Sequence, residues 1–163
     1  MKTLYLVRHA KSSWKFPELD DFQRPLNKRG ERDAPKMGRF LKKKGHIPDI
    51  IISSPAIRAS MTTNIISGIL SYPLKRIKYS NDIYEADTTS LFEVVSKVNN
   101  KFDRAMMVGH NPGMTYFANI LTNTRIDNIP TCGIFCSELD ITSWQDISEN
   151  CGAIKFFEYP KNL

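Results

Sequence analysis

Three short apolar runs, at 4–7, 50–52 and 105–108, are each followed at once by polar residues and the start of a helical pattern. The runs are continuous rather than alternating, so a strand built from each needs cover on both faces. Between them fall helical spacings. Ala34, Met37, Gly38 and Leu41 share one helical face, as do Thr62, Ile65, Ile66 and Ile69. Leu91, Val94, Val95 and Val98 repeat the pattern, and Tyr116, Phe117, Ile120 and Leu121 form a fourth. Pro35 lies in the first of these segments and either kinks the helix or marks its start. Two β-rich stretches follow, around Ile134 and Phe135 and at 153–157. Strands alternating with helices imply an α/β fold, a three-layer α/β/α sandwich with a mostly parallel central sheet.

The length of 163 residues suits a single domain over 1–163. With nine Phe and six Tyr the chain is too apolar to stay disordered. No stretch reaches the roughly 20 apolar residues of a membrane-spanning helix. The net charge of +6 fits a lysine-rich solvated surface, or attraction to anionic substrates. No RNA-binding motif or recognition-helix pattern accompanies it, so no nucleic acid partner is expected. Lys42, Lys43 and Lys44 fall where a helix should end and complement its negative pole. Cys132, Cys136 and Cys151 are odd in number and clustered, which is neither a disulfide framework nor zinc-ligand spacing. A reduced, cytoplasmic protein is the expectation, and the N-terminus carries no export signal. Nothing in the chain dictates an oligomeric state.

In a parallel sheet the site lies beyond the carboxyl ends of the strands. Arg8 and His9 follow the first run. Ser53, Ser54, Pro55 and Arg58 follow the second, where Ser54 reads as an N-cap and Pro55 as the first helical residue. Gly109 and His110 follow the third, with Asn111 and Pro112 placed to cap and begin the next helix. Each signal alone is weak. Together, two Arg and two His form a positive cradle suited to a phosphoryl group, with no metal cluster beside it. The glycine pattern of a nucleotide-binding P-loop is absent.

These motifs resemble the histidine phosphatase superfamily, also called phosphoglycerate mutase-like. Arg8-His9-Ala10 matches the family's Arg-His-Gly opening with Ala10 in place of glycine, and Arg58 and His110 match its second arginine and second histidine. The segment 24–30, Arg-Pro-Leu-Asn-Lys-Arg-Gly, and the short length are similar to the compact protein phosphohistidine phosphatase branch. The resemblance implies a phosphoglycerate mutase-like fold, His9 as nucleophile, and Arg8, Arg58 and His110 as phosphoryl-binding groups. It implies an acidic proton donor matched most closely by Glu85, with Asp82 and Asp87 as neighbouring candidates.

The implied reaction is metal-independent and cofactor-free hydrolysis through a phosphohistidine on His9, acting on protein phosphohistidine. A small-molecule phosphomonoesterase on the same scaffold and a non-catalytic phospho-group-binding module are the alternatives. Cationic neighbours should depress the His9 pKa and keep the ring neutral. The stretch from Lys11 to Arg24, with Trp14, Phe16 and Phe22, is the expected rim, although the same aromatics could pack inside.

Overall fold

The computed structural model describes residues 1–163. Six strands form one sheet: β1 (Lys2–Arg8), β2 (Ile50–Ser53), β3 (Lys78–Tyr79), β4 (Arg104–Gly109), β5 (Ile134–Leu139) and β6 (Gly152–Glu158). Their order is β3-β2-β4-β1-β5-β6. The β3–β2, β2–β4 and β4–β1 pairs are parallel, whereas β5 runs antiparallel to both β1 and β6. The apolar runs at 4–7, 50–52 and 105–108 are therefore the three central parallel strands, as their lack of alternation requires.

Four α-helices cover the sheet: α1 (Lys28–Lys44), α2 (Ile57–Ile69), α3 (Thr88–Ser96) and α4 (Gly113–Thr122). Strand side chains alternate between two cores. Leu4, Leu6, Ile52 and Met107 pack with α3 and α4, around Leu91 and Phe117. Tyr5, Val7, Ile51 and Val108 pack with α1 and α2, around Met37 and Ile66. Burying both faces of the sheet is what makes three layers.

Helix α1 starts earlier than its apolar face suggests. Asn27 Oδ1 accepts from the Gly30 N–H at 2.9 Å, a cap worth about 1 kcal/mol. Pro35 therefore lies inside the helix rather than at its start. Burial of Ala34, Met37, Gly38 and Leu41 on one face holds the segment helical despite the missing amide. Its last turn carries Lys42, Lys43 and Lys44 and ends at Gly45, whose φ of 73° is the left-handed geometry of a helix stop. At α4, Tyr116 departs from the expected buried face and is exposed, while Phe117 and Leu121 are fully buried.

Register positions the site. Arg8 stands directly opposite Gly109, and Ser53 opposite Val108. The residues that follow, His9, Ser54 and His110, thus leave the sheet side by side. A long segment from 9 to 27 then folds back over this end, tied by a bridge between Ser12 and Leu26. Gly30 lets it approach: a Cβ there would stand 2.2 Å from the Lys11 carbonyl oxygen.

Candidate active site

His9 is 7% exposed and sits directly beyond β1. Its backbone N–H donates to the Gly109 carbonyl at 3.0 Å, pinning it to β4. Its Nδ1 lies 2.7 Å from the Ala10 carbonyl oxygen. A carbonyl only accepts, so Nδ1 carries the proton and Nε2 keeps its lone pair. The Ala10 amide is held in turn by Thr62 Oγ1 at 2.9 Å, from α2. The His9 pKa is pushed down to about 3, first by burial and then by the charges of His110, Arg58 and Arg8. Arginine charge contributes as the sequence suggests, but burial is the larger cause.

His110 follows β4, its ring centroid 5.2 Å from that of His9. Burial first, then Arg58, lower its pKa to about 4. Its Nε2 lies 2.7 Å from Ser54 Oγ, and its Nδ1 is buried with no partner. Ser54 is not the cap of α2. That helix starts at Ile57, and Ser54 Oγ accepts from the Ala56 N–H at 3.2 Å while holding His110. The proline turn displaces the helix start and frees the hydroxyl for the site. Similarly α4 begins at Gly113, after Pro112, and Asn111 Oδ1 accepts from Thr115 N–H and Oγ1–H.

Arg8 donates through Nη1 to the Ile129 carbonyl at 2.9 Å, and its Nε is buried without a partner. Arg58, in the first turn of α2, is 5% exposed. Its Nη1 donates to the Asp21 carbonyl and its Nη2 to Asp21 Oδ2 at 2.9 Å, leaving Nε unpartnered. A cation at the positive pole of a helix is unfavourable alone, and Asp21 offsets it. Burial would raise the Asp21 pKa, but hydrogen bonds from Tyr84, Arg58 and Arg24 and the Arg58 charge hold it at about 2.

Asp21 and Tyr84 carry no signal in the sequence that marks them for the site, whereas Arg24 closes the expected rim and Ser54 reads as a helix cap. Arg24 Nε and Nη2 each reach Asp21 Oδ1 at 3.2 Å, and its Nη1 donates to Ser12 Oγ at 2.7 Å. Trp14 stacks on the Arg24 guanidinium, 3.7 Å from ring centroid to Cζ, and remains 75% exposed. Trp14 therefore belongs to the rim rather than the core. Tyr84 Oη donates to Asp21 Oδ2 at 2.6 Å, and its ring meets His110 edge-on with centroids 5.4 Å apart. Burial, then that hydrogen bond, raise the Tyr84 pKa to about 12.

Glu85 is exposed, with a φ of 53°, and forms no hydrogen bond to the two histidines or two arginines. It is placed near them only by its neighbour Tyr84. Of its competitors, Asp87 caps α3 by accepting from the Ser90 N–H at 2.9 Å, and Asp82 is exposed. No three His, Cys, Asp or Glu side chains converge in a way that could hold a metal ion.

A family model, histidine phosphatase superfamily (branch 1), matches residues 4–106. The chain belongs to the histidine phosphatase superfamily. An uncharacterized chloroplastic protein of Arabidopsis thaliana is 31% identical over 89% of this chain and 70% of its own length. The fold is similar to the putative phosphohistidine phosphatase SixA of Agrobacterium tumefaciens, with a TM-score of 0.84, 24% identity and 98% of each chain covered. It is also similar to the protein histidine phosphatase SixA complexed with tungstate, with a TM-score of 0.84, 18% identity and 98% of each chain covered.

Proposed function

We propose that this histidine phosphatase hydrolyses protein phosphohistidine through a covalent phosphoryl intermediate on His9. The observation that carries the reading is a cluster of buried, unpartnered nitrogens. Arg8 Nε, Arg58 Nε and His110 Nδ1 are three of the six buried side-chain polar atoms without a partner in the whole molecule. Such atoms cost about 1–3 kcal/mol each when left unmade, and an oxyanion would satisfy them. With Ser54 donating to Nε2 of His110, the proton sits on Nδ1, where it can meet a phosphoryl oxygen.

The first step is attack by the His9 Nε2 lone pair on phosphorus, while the Ala10 carbonyl keeps the proton on Nδ1. The bond from phosphorus to the leaving nitrogen breaks, and the substrate ring, protonated by solvent on its other nitrogen beforehand, leaves as neutral imidazole. Arg8, Arg58 and His110 bind the equatorial oxygens, since positioning and charge supply most of the catalysis in phosphoryl transfer. Water then attacks the phosphorus, the P–N bond to His9 breaks, and phosphate leaves with His9 again neutral. This chemistry asks for no metal or cofactor.

Two features support a protein substrate. The leaving imidazole has an ordinary pKa of about 6.5 and departs without a strong acid, consistent with the exposed Glu85. On the segment that folds over the site, Trp14 and Phe16 stand exposed rather than closing over a small metabolite. The similar SixA bound to tungstate, a tetrahedral oxyanion, fits the same reading.

The test is to trap the phosphoenzyme with a radiolabelled phosphohistidine peptide. Acid-labile, alkali-stable label on His9, absent from His9→Ala, is the expected result. Binding of phosphate or vanadate with neither label nor product would overturn it in favour of a binding module. Turnover of phosphomonoesters alone would overturn the substrate assignment.

A further inference from the structure

A cleft of about 660 Å³ opens at the β3 edge of the sheet, away from His9. Five exposed cations surround it: Lys75, Arg76 and Lys78 before and on β3, Lys97 after α3, and Lys101 in the turn before β4. Only Asp82 and Glu93 oppose them. None of the five takes part in an ion pair, although Lys2, Arg24, Arg29, Arg58, Arg104 and Lys155 all do. The cleft accounts for half of the chain's net charge of +6.

The floor is apolar, formed by Ile50, Ile52, Val94 and Phe102. Lys101 Nζ stands 5.0 Å from the Phe102 ring centroid and Arg76 Cζ 5.7 Å from that of Tyr72, so charge and floor adjoin. A second hollow shares Tyr72, Arg76, Lys101 and Phe102 and continues the trough past Pro73, where its two carboxylates, Asp49 and Asp103, are paired with Arg104 and Lys2. At its other end the cleft reaches Ser80 and Asp82, on the segment that carries Tyr84 to His110.

We infer that this groove binds an extended acidic segment of a partner protein, with Asp or Glu side chains between apolar anchors. Cations spread over three separate segments match charges distributed along a chain better than one compact anion. A phosphate would be favoured at a helix N-terminus, but α3 presents its C-terminal end here, and Lys97 already complements that end. Long lysine stems can cover apolar anchors while their ammonium groups meet carboxylates. The groove binds whether or not the catalytic site turns over.

The test is fluorescence anisotropy with a labelled peptide of alternating acidic residues carrying one Phe and one Leu. Saturable binding that weakens at least about fivefold in Lys97→Glu/Lys101→Glu is expected, given two contacts turned from attraction to repulsion. Lys75→Glu/Lys78→Glu, on a different segment, should do the same, so one misfolded variant does not decide the matter. Lys42→Glu/Lys43→Glu makes the same change of net charge on α1 and should bind as the unaltered protein does. No saturable binding, or an equal loss in the α1 variant, would overturn the inference. So would displacement of the peptide by AMP at equal concentration, which would mark a small-anion site instead.

Discussion

Asp21 Oδ2 lies 2.9 Å from Arg58 Nη2, and the Asp21 carbonyl takes the other terminal nitrogen of the same guanidinium. The carboxylate also accepts from Tyr84 and Arg24. One side chain therefore joins the segment after β1, the start of α2 and the approach to α3. It spends the outer donors of Arg58 on structure and leaves Nε for an oxyanion. Replacing Asp21 with Ala should release Arg58 Nη2, while the backbone carbonyl still holds Nη1, and lower kcat/KM about 10–100-fold, the loss seen when a partner that orients a metal ligand is removed. Asp21→Asn keeps one acceptor oxygen and should lie between. Steady-state kinetics on the three forms check this, and equal rates would show that Arg58 needs no orienting partner.

Both site histidines are held neutral, and this fixes the sign of a pH effect on stability. Their folded pKa values, about 3 for His9 and about 4 for His110, lie below the ordinary 6.5. Below 6.5 the unfolded chain binds protons that the folded chain does not. Stability is therefore full above that value and falls as pH drops toward the folded pKa values, by on the order of a few kcal/mol. His46, lowered by burial and then by Lys155 and Lys44, acts in the same direction. Denaturant titrations between neutral pH and pH about 4 should show the decline. Replacing both site histidines with Asn should flatten it, and an unchanged slope would place the effect elsewhere.

Much of this was written in the sequence because the central strands are buried on both faces. Continuous apolar runs announced β1, β2 and β4, and the segments that follow them hold the histidines and arginines grouped at this end of the sheet. That His9, Arg58 and His110 lie at one end of the sheet could be read without knowing a single contact. The supporting residues could not. Asp21 and Arg24 lie in an irregular segment with no periodicity, and their role appears only through Arg58, far along the chain. Tyr84 lies between Asp82 and Glu85, and a tyrosine beside carboxylates carries no site signal of its own. Ser54 carries a genuine cap signature, but the proline turn shifts the helix by two residues and turns the hydroxyl toward His110.

The close approach at Gly30 supports the site from below. A Cβ at this position would meet the Lys11 carbonyl oxygen at 2.2 Å, and that atom is backbone. The same carbonyl accepts from the Asn27 N–H at 3.0 Å, so moving it disturbs the cap of α1 as well. Gly30→Ala should destabilise the fold by about 1–3 kcal/mol, the cost of overpacking a tight contact. It should also reduce kcat/KM by displacing the segment that carries Asp21 and Arg24. Thermal denaturation and kinetics together test this, and a fully stable, fully active variant would show that the segment yields easily.

The last expectation concerns the leaving group. Glu85 is exposed, and its neighbour Tyr84 is the residue that meets His110. An alkoxide leaving from a phosphomonoester needs a proton, and general acid catalysis contributes roughly 100–10,000-fold when a group supplies it. An imidazole leaving from phosphohistidine needs far less help, because the neutral ring is a weak base whose conjugate acid has a pKa of only about 6.5. Glu85→Gln should therefore lower turnover of a phosphomonoester by at least about tenfold while changing phosphohistidine turnover by less than about threefold. Parallel assays of both substrates on the same preparation give the ratio directly. Equal losses would assign Glu85 to binding or folding, and no loss with either substrate would remove it from the reaction.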